Sequence, residues 1–249
     1  MRSIKMRHLN RYLFNKAGLH ITKLESSPSL QGLLRKIQSM PMEITTIFDV
    51  GAYRGTWSEE VRKSFPQATF VLFEPNEVHN QEISKRKFGV YNLVLGRSTG
   101  SKVKFYASGS TGDSFFLEKN NFYIGKEKEL ETVSLKDVIE QHGLQFPDFL
   151  KLDTQGSEME ILLGAEEVLR EIKLILVELP ITKMNIGAPN LSEVVEYLEH
   201  NNFVPIHLSE IHNVIDILVQ VDIAFLRRDL FISIYGHDDI THRNINPNP

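Results

Sequence analysis

The sequence predicts an α/β fold, a mostly parallel sheet with helices on both faces and a helical extension at the N-terminus. Three observations point there. From residue 44 onward, short apolar runs alternate with segments of helical period. The first run passes through a glycine turn straight into a helix. Four of the runs end at or beside an acidic residue, and in a parallel sheet all strand carboxyl ends share one rim.

Each element can be justified in order. Residues 4–40 read as helix in two parts, carried by Ile4, Leu9, Leu13 and Phe14, then by Leu30, Leu33, Leu34 and Ile37. Ser26-Ser27-Pro28 separates the parts and Pro41 stops the second. The runs 44–50, 69–73, 90–95, 149–152 and 174–179 read as strands, with helices expected at 57–64, 77–87 and 157–170. Region 96–147 interrupts the rhythm with glycines at 96, 100, 109 and 112, a strand at 102–107 and a short helix at 134–142. A helix at 192–201 precedes strands at 203–208 and 220–226, which a loop alone connects. That connection predicts an antiparallel pair at the sheet edge, within a sheet of seven strands. The chain thus divides into a helical extension (1–43), a main domain (44–235) and a polar tail (236–249).

Composition narrows the chemistry. A chain of 249 residues suits one compact domain with a small appendage. It has no cysteine, which excludes disulfides, thiolate zinc sites, iron–sulfur clusters and thiol nucleophiles. That agrees with a reducing compartment, and a cytoplasmic location is expected. No apolar run approaches the roughly 18 residues of a membrane span, and no apolar stretch follows the basic start as it would in a secretion signal. The net charge of −4 conceals Arg2, Lys5, Arg7, Arg11, Lys16 and Lys23, which no acid accompanies in the first 23 residues. The rest of the chain is too acidic for a general nucleic-acid binder, so the arm reads as a solvated helix or a subunit contact.

The first run ends Asp49-Val50-Gly51-Ala52-Tyr53-Arg54-Gly55, the corner of a nucleotide-type site. Gly51 permits a tight turn and the close approach of a ligand, and the amides opening the next helix can meet a carboxylate or phosphate. Phe73-Glu74-Pro75 ends the second run, where an acid can accept both ribose hydroxyls of an adenosine. A dinucleotide fingerprint would need a third glycine. Here Tyr53 occupies the central place, and Asp49 would repel a pyrophosphate while suiting a cationic amino group. S-adenosylmethionine is therefore preferred to a nicotinamide. Asp153, in Leu152-Asp153-Thr154-Gln155-Gly156, and Glu178, before Leu179-Pro180, complete the acids of the rim.

These motifs together resemble the FkbM family of S-adenosylmethionine-dependent methyltransferases. The resemblance rests on Asp49-Val50-Gly51-Ala52-x-x-Gly55, Phe73-Glu74-Pro75 and Asn92-x-Val94-x-Gly96. It continues through Leu152-Asp153-x-Gln155-Gly156-x-Glu158, Leu163-Gly164-Ala165, Glu178 and Asp222-Ile223-Ala224-Phe225, over about residues 44–228. It implies a Rossmann-like, seven-stranded class I methyltransferase sheet, bound S-adenosylmethionine and usually O-methylation of sugar or natural-product hydroxyls. Carried over, Asp49, Gly51, Ala52, Tyr53 and Gly55 line the methionine end, Glu74 and Pro75 meet the ribose, and Asn92 lies close by. Asp153 stands near the transferring methyl. The family commonly has Asn at Tyr53 and an acid at Gln155.

Methyl transfer from a sulfonium is an in-line displacement, and a hydroxyl acceptor must lose a proton to a base. Asp153 is the expected base or acceptor anchor, with Glu178 and residues 180–190 shaping the acceptor pocket. His207 and His212 are lesser candidates from the sixth strand. A divalent ion between Asp153 and Glu178 would suit oxygen ligands, but no complete set is visible and no metal is assigned. His237-Asp238-Asp239-x-x-His242 lies in the tail, and Ser114 reads as a turn residue. A nicotinamide-dependent oxidoreductase, a non-catalytic cofactor-binding scaffold and a nucleic-acid methyltransferase remain as rivals at this point.

Overall fold

The computed structural model describes residues 28–107, 126–182 and 188–236. Ser114, the 237–242 cluster and the basic arm lie outside the described residues. The elements are α1 (Leu30–Gln38), β1 (Thr46–Val50), α2 (Thr56–Ser64), β2 (Thr69–Phe73), α3 (Asn80–Lys85), β3 (Val90–Tyr91), β4 (Val94–Leu95) and β5 (Lys102–Ala107). Then come β6 (Lys126–Val133), α4 (Leu135–His142), β7 (Phe149–Leu152), α5 (Glu158–Leu163), β8 (Leu174–Pro180), α6 (Leu191–His200), β9 (Phe203–Val214), β10 (Ile217–Arg227) and α7 (Arg228–Tyr235).

The main sheet has seven strands in the order β3-β2-β1-β7-β8-β10-β9. Strands β1, β2, β3, β7 and β8 pair in parallel, and β10 runs antiparallel to both β8 and β9. This is the expected parallel sheet with its antiparallel edge pair. Strands β1 and β7 are buried along their whole length, as strands covered on both faces must be. On one face Leu135, Val138, Ile139, Ile161, Leu162, Val194 and Leu198 bring α4, α5 and α6 onto the sheet. On the other, Leu33, Leu34, Ile37, Val61 and Phe231 bring α1, α2 and α7 onto it. Helix α1 is capped by Ser29, whose side chain accepts from the Gly32 amide, and its apolar stripe joins the domain core.

Four differences from the sequence reading have physical causes. The run 90–95 is two short strands, because the Asn92 side chain turns aside to donate to the Glu74 carbonyl at 2.7 Å. Its second half, β4, joins a separate three-stranded sheet, β4-β6-β5. Strand β6 escaped notice because it alternates charges, which Lys102–Glu129 and Lys104–Glu127 satisfy across the ladder. The helix expected over 157–170 ends at Leu163, since Gly164 presses on the backbone of residues 96–97. A Cβ at Gly164 would lie 2.1 Å from the Gly96 carbonyl oxygen. Finally, β9 and β10 form a hairpin much longer than expected, and α7 follows it without a break.

Candidate active site

The loop after β1 is stitched between its neighbours. The Gly51 and Ala52 amides donate to the Phe73 carbonyl at 3.0 and 3.1 Å, and the Asp153 amide donates to Val50 at 3.1 Å. Gly51 (φ 76°), Tyr53 (φ 51°) and Gly55 (φ 73°) all adopt left-handed backbone, which glycine accepts freely and asparagine better than tyrosine. A Cβ at Gly51 would sit 1.8 Å from the Asp153 carbonyl oxygen, so the turn admits only glycine there. Helix α2 opens at Gly55 with no side-chain cap, and its first amides remain for a ligand.

Glu74 is 5% exposed. Its two oxygens accept from the Tyr53 and Asn76 amides, each at 2.8 Å. The two amides fix the orientation of the Glu74 carboxylate past the end of β2. Pro75 is half-buried beside it. Asn92 holds the Glu74 carbonyl and exchanges amide bonds with Asn80 at 3.0 Å, so it frames this corner from behind.

The structure brings Asp49 and Asp153 together through a residue the sequence reading passed over. Lys151 is buried, with Nζ 3.1 Å from Asp49 Oδ1 and 3.2 Å from Asp153 Oδ2. It also lies over the Trp57 ring at 5.4 Å. Asp49 is fully buried and takes a second bond from the Ser58 hydroxyl at 2.6 Å. Burial pulls the Lys151 ammonium down, but the charges of Asp153 and Asp49 outweigh it and raise its pKa. Burial likewise pushes Asp153 up, and Lys151 with its hydrogen bonds wins, holding Asp153 below the usual carboxylate range.

Next to Asp153, Gln155 Nε2 bridges Asp153 Oδ1 at 3.2 Å and Glu178 Oε2 at 2.6 Å. Gln220 in turn donates to Gln155 Oε1 at 3.3 Å. Glu178 is 7% exposed. Burial first, then the charges of Asp153, Glu158 and Asp222, push its pKa up to about 10. Glu158 serves the backbone instead, accepting from the Thr154 and Gly156 amides and the Thr154 hydroxyl at 2.8–3.1 Å. It thereby fixes the left-handed turn at Gln155 and Gly156.

The two histidines separate. His207, a lesser candidate for the rim, lies mid-strand against α1, its Nε2 3.2 Å from the Ser29 carbonyl. His212 does reach the rim. It pairs with Gln220 in register, one step from the directly opposed Asp222 and Glu178. Its Nε2 is 3.0 Å from Asp222 Oδ1 and 3.7 Å from Glu178 Oε1. These three groups each offer an atom within 4.8 Å of the others.

A sheet of this order, with a glycine turn after β1, a clamped acid after β2, Asp153 past β7 and Glu178 near the end of β8, is Rossmann-like. The Methyltransferase FkbM domain model matches residues 49–205, well over half of the chain. The chain belongs to the FkbM methyltransferase family. It is similar to Methyltransferase sdnD of Sordaria araneosa, at 30% identity in an alignment covering 49% of this chain and 60% of that protein. The chain thus spans less than two thirds of that relative. Among solved structures it is similar to precorrin-6y C5,15-methyltransferase of Geobacter metallireducens GS-15 (TM-score 0.43, 12% identity, 83% of this chain and 93% of that one). It is likewise similar to magnesium protoporphyrin IX methyltransferase of Synechocystis PCC 6803 with bound S-adenosylmethionine (TM-score 0.44, 10% identity, 78% and 74%). Neither structural likeness bears on what this chain acts upon. The residues present fit the donor: Gly51 lets the turn after β1 pass without side-chain bulk directly against the Asp153 backbone, and two amides orient the Glu74 carboxylate.

Proposed function

We propose that the protein transfers the methyl group of S-adenosylmethionine to a hydroxyl of a sugar, a glycan or a natural product. The observation that carries this reading is the linked group Asp153 and Gln155 past the end of β7 and Glu178 near the end of β8, next to the proposed donor corner. S-adenosylmethionine supplies an activated methyl and its own leaving group. The protein's share is then to hold an oxygen in line and to manage one proton.

Each side chain has a part in that arrangement. Gly51, Ala52, Tyr53 and Gly55 accommodate the methionine end, Glu74 receives the ribose hydroxyls, and Pro75 and Asn92 support that corner. Asp49 acts from beneath by fixing Lys151. Asp153, ionised beside Lys151, accepts a hydrogen bond from a second hydroxyl of the acceptor and so anchors the reacting oxygen in place. Glu178, which keeps its proton at neutral pH, donates to a neighbouring acceptor oxygen. Such a donor–acceptor pair suits a polyhydroxylated ligand. No helix among the described residues is long and apolar enough to cross a membrane. A small-molecule or glycan acceptor, rather than nucleic acid, and a cytoplasmic site belong to the same reading, which the acidic, cysteine-free composition supports.

The test is release of S-adenosylhomocysteine across a panel of methyl glycosides and hydroxylated aglycones. Wild-type protein turns over at least one of them. Asp153→Asn lowers turnover by about tenfold or more while donor affinity, read by calorimetry, holds. An Asp153→Asn variant with full turnover would remove Asp153 from this role.

A further inference from the structure

We propose that His212, aligned by Asp222, is the general base that takes the proton from the acceptor hydroxyl. The inference rests on the hydroxyl-transfer reading and deepens it by assigning the proton's destination.

The argument is one of geometry and occupation. Asp153 stands nearest the donor corner, but Lys151 and Gln155 both bind its carboxylate. An ion pair of that kind lowers basicity, as the depressed pKa of Asp153 reflects. Glu178 already holds a proton. Glu158 spends its oxygens on its own turn. Asp49 is enclosed between Ser58 and Lys151. None of these four carboxylates is left both basic and accessible. The imidazole of His212 differs, being one-third exposed at the level of Pro180.

Its partner sets the chemistry. Asp222 Oδ1 lies 3.0 Å from His212 Nε2, and in the proposed arrangement Asp222 accepts the Nε2 hydrogen bond and leaves the lone pair on Nδ1. This is the logic of a base oriented by a buried carboxylate. The side chain of Asp222 is 14% exposed and that of Glu178 7%, so both acids flank the imidazole inside the protein. The charged and titratable groups facing this pair are Glu178 on β8, Asp222 on β10, Glu210 on β9 and Asp153 past β7. All are acidic side chains, and Asp222 is the one that hydrogen-bonds the imidazole.

The step balances. An acceptor oxygen lone pair forms the new C–O bond as the C–S bond breaks, and that electron pair leaves with sulfur as a neutral thioether. The hydroxyl proton passes to His212 Nδ1, directly or through one water. Asp222 and Glu178 then face an imidazolium, which later releases its proton to solvent.

The experiment measures S-adenosylhomocysteine release with the best methyl glycoside of the panel, for wild type, His212→Gln, His212→Ala and Asp222→Asn. Donor affinity by calorimetry serves as the folding control. Loss of a positioned base predicts a fall in kcat of about 100-fold or more for His212→Gln at unchanged donor affinity. Since the base must be unprotonated, wild-type kcat falls on acidification, and His212→Gln lacks that limb. Free imidazole restores part of the turnover of His212→Ala, which a merely structural histidine would not allow. Asp222→Asn, acting through His212, loses less and displaces the same limb of the pH profile. Full turnover by His212→Gln, with wild type active, overturns the inference and leaves the methyltransferase reading intact. It is also overturned if chelation abolishes activity, Mg2+ or Mn2+ restores it, and His212→Gln abolishes Mn2+ binding, for then the imidazole serves an ion. No turnover of any hydroxyl by wild type defeats the hydroxyl reading itself, and the assigned base with it.

Discussion

Lys151 shows how one residue organises this site. It interrupts the apolar run Phe149-Leu150-Lys151-Leu152, and strand alternation puts it on the same side as Asp153. A lysine inside a buried strand needs a carboxylate partner; here it has two. The rim acids Asp49, Glu74, Asp153 and Glu178 were readable from strand ends alone. Their division of labour was not, because it depends on contacts across the sheet: Ser58 to Asp49, Lys151 between two acids, His212 to Asp222. Glu178 carries a testable consequence. Its folded pKa, about 10, stands far above that of an unfolded glutamate. Between those values the native state binds more protons than the unfolded one, so stability falls as pH rises. Glu178→Gln removes that linkage. Its thermal midpoint should exceed that of wild type by several degrees at pH 8, and the difference should shrink toward pH 5. Parallel melting curves at both pH values would sink this assignment.

At the scale of elements, fully covered strands and capped helices were legible. The 69–73 and 149–152 strands stand where their apolar runs stand. Helix α4 starts after Ser134 and stops before Gly143, a side-chain cap and a left-handed exit. Half-exposed elements were harder to read. Strand β6 has charges on both sides of its period, and the outer half of the β9–β10 hairpin leaves Ile211, Val214, Ile215 and Ile217 exposed. The end of α5 was missed for another reason, since the signal lies in a different segment. Gly164 and Gly96 belong to two separate motifs of the family, and the structure shows that they meet. With only 2.1 Å between a new Cβ and the Gly96 carbonyl oxygen, Gly164→Ala must move backbone. Overpacking of that kind costs about 1–3 kcal/mol, and the denaturant midpoint should fall accordingly without a change in slope. An unchanged midpoint would mean that the two segments are not locked together.

For the whole molecule, the cofactor corner and the core are mechanically one. The Gly51 turn is tied to β2 through Phe73 and abuts the backbone of Asp153 past β7, and these strands form the centre of the sheet. A donor seated there as proposed would contact elements from both halves of the domain, and its binding energy would appear as global stability. The acids of the rim favour a cationic sulfonium over a pyrophosphate. At a free concentration of about 100 times Kd, a ligand bound only by the native state adds about 2.7 kcal/mol. In a domain of this size that corresponds to a rise of about 5–10 °C in the thermal midpoint. S-adenosylmethionine and S-adenosylhomocysteine should both produce such a rise, whereas NAD at the same concentration should leave the midpoint where it was. Gly51→Ala should lower the midpoint and abolish the response, because the added methyl group collides with Asp153 at the place where turn, sheet and donor meet. A full response in Gly51→Ala would detach the donor site from this turn.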